Sequence, residues 1–142
     1  MPRSHILVVD DDQNSREVLR RFLEPEGYEV HEAESAEVAI RSIEDHPPAV
    51  VLCDVHMPGA NGLWLTDQIR TVSPTTAMIL ATGDDRVPPV ETLRSGVVAY
   101  FVKPLDRAKV LRAVEKGRQW SLQQEAKGVR RQQRRQLEPG SD

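Results

Sequence analysis

Five residues of complementary chemical type stand at the ends of apolar runs in this 142-residue chain. Asp10 and Asp11 follow Ile6-Leu7-Val8-Val9, and Asp54 follows Val50-Val51-Leu52-Cys53. Thr82 follows Ile79-Leu80-Ala81, and Lys103 follows Tyr100-Phe101-Val102. Three carboxylates brought together repel one another unless a cation bridges them. A small cluster of hard oxygen ligands suits Mg2+, which takes one or two carboxylates plus phosphate oxygens and keeps several waters. A carboxylate is also a nucleophile toward a phosphoryl group, with an aspartyl phosphate as the product. Such a transfer needs positive charge and a hydroxyl donor at the phosphoryl oxygens, which Lys103 and Thr82 supply. Each residue alone has a blander explanation. An aspartate after a strand turns the chain or caps a helix, a threonine closes a strand, and a lysine before Pro104 is a surface group. Only their joint placement at strand ends points to phosphoryl chemistry.

The elements that must position these residues are short and alternate in type. His5–Val9 is a continuous apolar run rich in β-branched residues, as expected of a strand buried on both faces of a parallel sheet. From Gln13 to about Glu24, apolar residues at Val18, Leu19, Phe22 and Leu23 fall at helical spacing, closed by Pro25 and Gly27. Tyr28–Ala33 alternates as a half-buried strand does. Ser35 is placed to cap a helix carrying Ala36, Ala39, Ile40 and Ile43, which stops near Pro47-Pro48. Ala49–Cys53 is the third strand, Thr76–Ala81 the fourth and Val97–Val102 the fifth. Pro58 to Gly62 is a loop by composition, and Leu63, Leu65 and Ile69 lie on the helix after it. Pro88-Pro89 confines any helix before the fifth strand to a brief one with Val90 and Leu93. Leu105 opens a long helical stretch. This alternation predicts right-handed crossovers and a parallel sheet with helices on both faces. Ligands of such sheets sit beyond the carboxyl ends of the strands, which is where the five residues fall.

Composition narrows the setting. The single cysteine, Cys53, excludes an intrachain disulfide. No run approaches a transmembrane length, and the apolar stretch near the N-terminus is too short for a signal-peptide core, so a cytoplasmic location without membrane contact is expected. Residues 1–105 carry a net charge of −8 and residues 106–142 one of +5, which together give the chain's −3. An acidic body argues against broad nucleic-acid binding. Val110, Leu111 and Val114 provide one apolar stripe for packing on the sheet. Beyond it apolar positions thin to Trp120, Leu122, Val129 and Leu137, with Gly117 and Gly128 as interruptions, so no heptad coiled coil is expected. Residues 119–142 therefore read as a helical extension or linker whose C-terminal end is disordered. They leave no room for a helix-turn-helix, so direct DNA binding is not expected of this chain.

Four segments carry a resemblance to a known family. They are Ile6 to Asp12, Val50 to Gly62 (VVLCDVHMPGANG), Ile79 to Gly83 (ILATG) and Ala99 to Pro104 (AYFVKP). Over about residues 4–118 the chain resembles the response-regulator receiver domains of bacterial two-component signalling. The resemblance implies a flavodoxin-like, doubly wound, five-stranded parallel sheet in the order 2-1-3-4-5, here with an extended C-terminal helix. It implies that Asp54 is the phospho-acceptor and that Asp10 and Asp11 bind Mg2+, joined by Asp54 and the backbone carbonyl of His56. Thr82 matches the switch hydroxyl, Lys103 the lysine that pairs with the acceptor or its phosphate, and Tyr100 the aromatic that swings inward. The implied partners are a histidine kinase or phosphotransfer protein, an unknown output domain or protein, and a second copy in a homodimer. Such a domain catalyses its own phosphorylation and dephosphorylation as a signalling switch and is not a conventional enzyme. Three departures are visible. Asn61 stands where Asp is usual, in a loop position. His56 and Asp84 flank the acceptor and the threonine, where altered phosphoryl lifetime is expected. Pro88-Pro89 shortens a helix of the usual signalling face. Two other readings compete. A phosphohydrolase of the haloacid-dehalogenase type would use Asp10-x-Asp12, but its lysine should precede the later acidic pair, whereas Lys103 follows Asp84-Asp85. A receiver-like binding module that signals without phosphate would not need the complete set of five residues.

Overall fold

The computed structural model describes residues 3–83 and 94–137. Its elements are β1 (Arg3–Val9), α1 (Gln13–Leu23) with a 3-10 turn at Glu24–Glu26, β2 (Tyr28–Ala33) and α2 (Ala36–Asp45). There follow β3 (Val50–Asp54), α3 (Gly62–Val72), β4 (Ala77–Thr82), β5 (Val97–Val102) and α4 (Arg107–Leu137). The five strands form one parallel sheet in the order β2-β1-β3-β4-β5, the order expected. The strand order reverses between β1 and β3, which pair in parallel and so bring their carboxyl ends side by side.

The unbroken apolar runs have a direct structural cause. β1, β3 and β4 are covered on both faces, so consecutive residues of opposite orientation are all buried, from Ile6 to Val9, Val50 to Cys53 and Ala77 to Ala81. One face packs Leu7, Val9, Val51 and Leu80 against Ala39 and Ile43 of α2 and Leu65 and Ile69 of α3. The other packs Ile6, Val8, Leu52 and Ile79 against Leu19 and Leu23 of α1 and Val110 and Val114 of α4. β2 lies at the sheet edge, and its half-alternating pattern reflects that exposure.

The helix starts are set by local polar groups. Asp12 accepts from the Asn14 N–H, Ser35 from the Val38 N–H and Asn61 from the Trp64 N–H, each satisfying a donor that the first turn leaves open. Ser35 is the cap expected. Asn61 lies in the expected loop and its side chain also caps α3, so the helix begins one residue inside that loop, at Gly62. The C-terminal helix begins at Arg107 and not at Leu105, since Asp106 receives the Lys109 N–H at 3.0 Å and caps it.

Gly117 and Gly128 do not interrupt this helix, which continues through both to Leu137. A mid-helix glycine costs about 1 kcal/mol against alanine. At Gly117 the cost has a return, because a Cβ there would lie 3.0 Å from Val50 Cγ2 and 3.3 Å from the Ala77 Cβ. The missing side chain lets α4 approach β3 and β4 closely. Nothing in the structure explains Gly128. The brief helix with Val90 and Leu93, Asp84, and the expected disorder at the C-terminal end all lie outside the described residues. Among the described residues, no helix is long and apolar enough to cross a membrane.

Candidate functional site

The carboxyl ends of β1, β3, β4 and β5 meet at one edge, and their sequence-predicted residues meet with them. Asp10, Asp11 and Asp54 each present a carboxylate oxygen within 4.8 Å of the others. Lys103 Nζ donates to Asp10 Oδ2 at 2.8 Å and to Asp54 Oδ2 at 3.3 Å. Thr82 is fully buried at the end of β4, and its carbonyl accepts the Lys103 N–H at 2.7 Å. Tyr100, half-buried on β5, packs against the core on the α2 and α3 side. His56 projects into solvent, while its backbone N–H donates to Asp54 Oδ1 at 3.1 Å.

Each carboxylate is held by a different local device. Asp10 is 3% exposed, so its charge must be matched inside the protein. It receives the Asp12 N–H on Oδ1 and Lys103 on Oδ2. Its own carbonyl accepts Arg16 Nη1 at 2.7 Å, and Arg16 is braced in turn by Glu32. Asp11 is exposed and reaches the cluster from the solvent side. Asp12 completes the acidic triplet but turns away to cap α1. The loop after Asp54 is held by Glu37, whose carboxylate accepts the Ala60 N–H at 3.1 Å beside Gly59 in the left-handed region.

A cavity of about 240 Å³ lies against Asp10, Asp54 and Lys103, walled by Val18, Leu19, Pro104 and Leu105. Asp54 thus sits at a border between acidic groups and apolar space. Burial pushes the Asp54 carboxyl above its ordinary value, although the Lys103 charge and the His56 N–H oppose that shift. Burial also disfavours the Lys103 ammonium, but its bonds and charge interactions with Asp10 and Asp54 outweigh this and hold it above its usual range. The cluster therefore keeps its cation, and one cation bridges two carboxylates while Asp11 remains open to solvent. That donor set fits a hard, oxygen-seeking divalent ion. Cys53 plays no part, since burial drives its thiol far above the usual range and keeps it protonated.

The profile of the response regulator receiver domain matches residues 6–115, most of the chain and all four strands that build the site. The chain belongs to the response-regulator receiver domain family. Receiver domains are phosphorylation-controlled signalling switches, and they generally bind Mg2+. The transcriptional regulatory protein AruR of Pseudomonas aeruginosa is 35% identical over 138 residues, covering 93% of this chain and 57% of the relative. The aerobic respiration control protein ArcA of Escherichia coli K12 is 32% identical over 106 residues, 75% of this chain and 44% of the relative. This receiver domain thus spans about half the length of such relatives. Among solved structures, the signal receiver domain of an HD domain-containing protein from Pseudomonas fluorescens Pf-5 superposes with a TM-score of 0.81 at 26% identity, covering 89% of this chain and 94% of that one. A CheY-like receiver domain protein from Methanospirillum hungatei gives 0.78 at 28% identity, covering 84% and 97%.

Some contributors to the site carry no signal in the sequence. Arg16 reads as one more exposed helix arginine, and Glu37 as an ordinary first-turn acid. Their contacts are formed by residues brought together from different elements, and no spacing rule anticipates them. Lys103 is expected from its place at a strand end, but that it lies nearer to Asp10 than to Asp54 is set only by the packing.

Proposed function

We propose that this domain takes a phosphoryl group onto Asp54 from the phosphohistidine of a histidine kinase or phosphotransfer protein, in a Mg2+-dependent reaction in the cytoplasm. The observation that carries the proposal is the three-carboxylate cluster with Lys103 bridging Asp10 and Asp54. A carboxylate oxygen of Asp54 attacks phosphorus, an O–P bond forms, and the P–N bond to the donor imidazole breaks with its electron pair left on that nitrogen. Mg2+ held by Asp10, Asp11, Asp54 and the His56 carbonyl would supply positive charge to the phosphoryl oxygens. Lys103 supplies a second positive charge from within the fold, on a stem already anchored by Asp10. The buried Thr82 hydroxyl is the donor for a remaining oxygen, and its movement is passed to Tyr100 on the neighbouring strand. The two are close in the sheet, because β4 and β5 pair with Leu80 beside Tyr100 and Thr82 beside Val102. An output domain or partner protein reads that change. The exposed His56 ring, beside the acceptor, is proposed to alter how long the phosphoryl group persists.

The test is incubation with a small phosphodonor and Mg2+, followed by intact mass measurement. One added phosphoryl group is expected, and a chelator should abolish it. No adduct under any donor would leave the domain a phosphate-independent binding module. Sustained hydrolysis of a generic phosphomonoester, lost in Asp10→Asn and retained in Asp54→Asn, would make it a phosphohydrolase.

Lys103→Met is expected to slow phosphoryl uptake by roughly 100-fold, the usual size of removing one preorganised charge from a transferring group. The stem volume is preserved, so the fold should survive. Asp10 and Asp54 would then face each other without their bridging cation. The rate of mass increase at saturating phosphodonor is the check, and an unchanged rate would remove Lys103 from the reaction.

A further inference from the structure

Three of the chain's four histidines gather away from the phosphoryl site, on the α2 side of the outer strands. His5 lies on β1, on the same face as Leu7 and Val9, which pack against α2. His31 lies on β2, where the register places Glu29 beside His5 and His31 beside Leu7. His46 is the C-cap of α2, and the loop after it is tied back to β1 by the Ala49 N–H donating to the His5 carbonyl. The ring centroids of His5 lie 4.2 Å from His31 and 4.4 Å from His46, and those of His31 and His46 are 6.0 Å apart. The His31 Nε2–H donates to Glu29 Oε1 at 3.0 Å.

We propose that His5, His31 and His46, with the Glu29 carboxylate, form a binding site for a divalent transition-metal ion of the Zn2+ class. Both ring nitrogens of His5 are buried without a hydrogen-bond partner among the described residues. Buried polar nitrogens are rarely left so, and an unpartnered set is where an ion is to be looked for. Three imidazoles and one carboxylate match the nitrogen and oxygen donors that Zn2+ takes in four-coordinate sites. With metal–nitrogen distances of about 2.0–2.1 Å, tetrahedral ligation sets imidazole centroids roughly 5 Å apart. The observed separations bracket that value. His5 and His46 are nearly stacked, with 19° between their planes, so one ring must swing out to ligate. His46 and His31 are both exposed and have room to do so. Hard Mg2+ prefers the all-oxygen cluster at Asp10, Asp11 and Asp54, so the two sites differ in the ion they select.

The test is calorimetric titration of the full chain with Zn2+ in excess Mg2+, which occupies the acidic cluster. One equivalent of Zn2+ should bind. His31→Gln and His46→Gln should each weaken it by tenfold or more, since removing even an outer-shell partner of a metal ligand costs about 10–100-fold. Both positions are exposed, so both variants should fold. A second measurement needs no variant. Zn2+ should shift the imidazole NMR signals of His5, His31 and His46 and leave those of His56 in place. Full affinity in both variants, loss of binding only in Asp54→Asn, or a shift confined to His56 would each overturn the proposal.

Discussion

Replacing Asp54 by Asn is expected to abolish phosphoryl uptake altogether and, without divalent ions, to make the fold more stable than that of the unmodified chain. The first effect follows from chemistry, because an amide is not a nucleophile toward phosphorus at neutral pH and no other carboxylate takes the same place. Asp10 is buried and committed to Lys103 and the Asp12 N–H, and Asp11 lies exposed on the solvent side of the cluster, away from the Lys103 contact. The second effect follows from linkage. Burial raises the Asp54 carboxyl above its ordinary 3.8, so the folded state holds this proton more tightly than the unfolded chain does. Between the unfolded and the raised folded value, the folded state binds more protons, and stability falls as pH rises through that window. Above the raised folded value the whole penalty is present. Asn removes the charge while keeping an oxygen for the His56 N–H, and Lys103 keeps its shorter bond to Asp10. A melting temperature higher by roughly 3 °C at pH 7 is expected, the usual scale for relieving one strained functional group. The gain should vanish below the unfolded pKa, where both chains are neutral at this position. Thermal melts at pH 7 and pH 3 with chelator present, and intact mass after phosphodonor treatment, are the two checks. A mass adduct that survives in Asp54→Asn would move the acceptor elsewhere. A lower melting temperature at pH 7 would mean that the Lys103 attraction outweighs burial.

Gly62→Ala should destabilise the domain by about 2 kcal/mol, within the range for forcing extra volume into a packed site. This glycine opens α3 with an ordinary negative φ, so conformational freedom is not its reason. Its reason is space. A Cβ would lie 2.7 Å from the Asp54 carbonyl oxygen, 3.1 Å from the Val55 Cα and 3.2 Å from Cys53 Sγ. Two of these neighbours are backbone and cannot rotate away. The Gly62 N–H also donates to the Val55 carbonyl at 3.0 Å, which ties the start of α3 to the residue just past β3, and within the helix the Gly62 carbonyl accepts the Thr66 hydroxyl at 2.8 Å. Relief must come from moving α3 off the strand or moving the Asp54 backbone. Alanine's better helix propensity returns at most about 1 kcal/mol, which does not cover the clash. Because the acceptor's backbone is one of the two things that can move, phosphoryl uptake should slow along with the loss of stability. Urea denaturation gives the free-energy change, and a variant as stable as the unmodified chain would show that the helix and strand are not in such close approach.

Much of this was legible before any coordinates. The strands buried on both faces announce themselves as unbroken β-branched runs, since burial on both sides removes the need for alternation. The acidic pair, Asp54, Thr82 and Lys103 all lie one step past such runs, and a parallel sheet collects strand ends at one edge by geometry alone. Strand limits shifted by a residue or two, with Asp54 and Thr82 inside β3 and β4, because pairing to the neighbouring strand extends past the last apolar residue. Gly117 looks like a break in the sequence alone, for a helix propensity penalty is visible there and a close helix–sheet approach is not. Asn61 is a loop residue that also caps α3, a second role that composition does not reveal because both suit the same short polar side chain.

The sequence by itself determined the fold class, the strand order through its family resemblance, and which five residues share an edge. These rest on periodicity and motif, which are local along the chain. Only the tertiary structure decided that Lys103 bridges Asp10 and Asp54, that Gly62 must be small to fit against the Asp54 carbonyl, and that His5, His31 and His46 converge. Each of those facts is a distance between residues far apart in the chain, and such distances exist only once the strands and helices have packed.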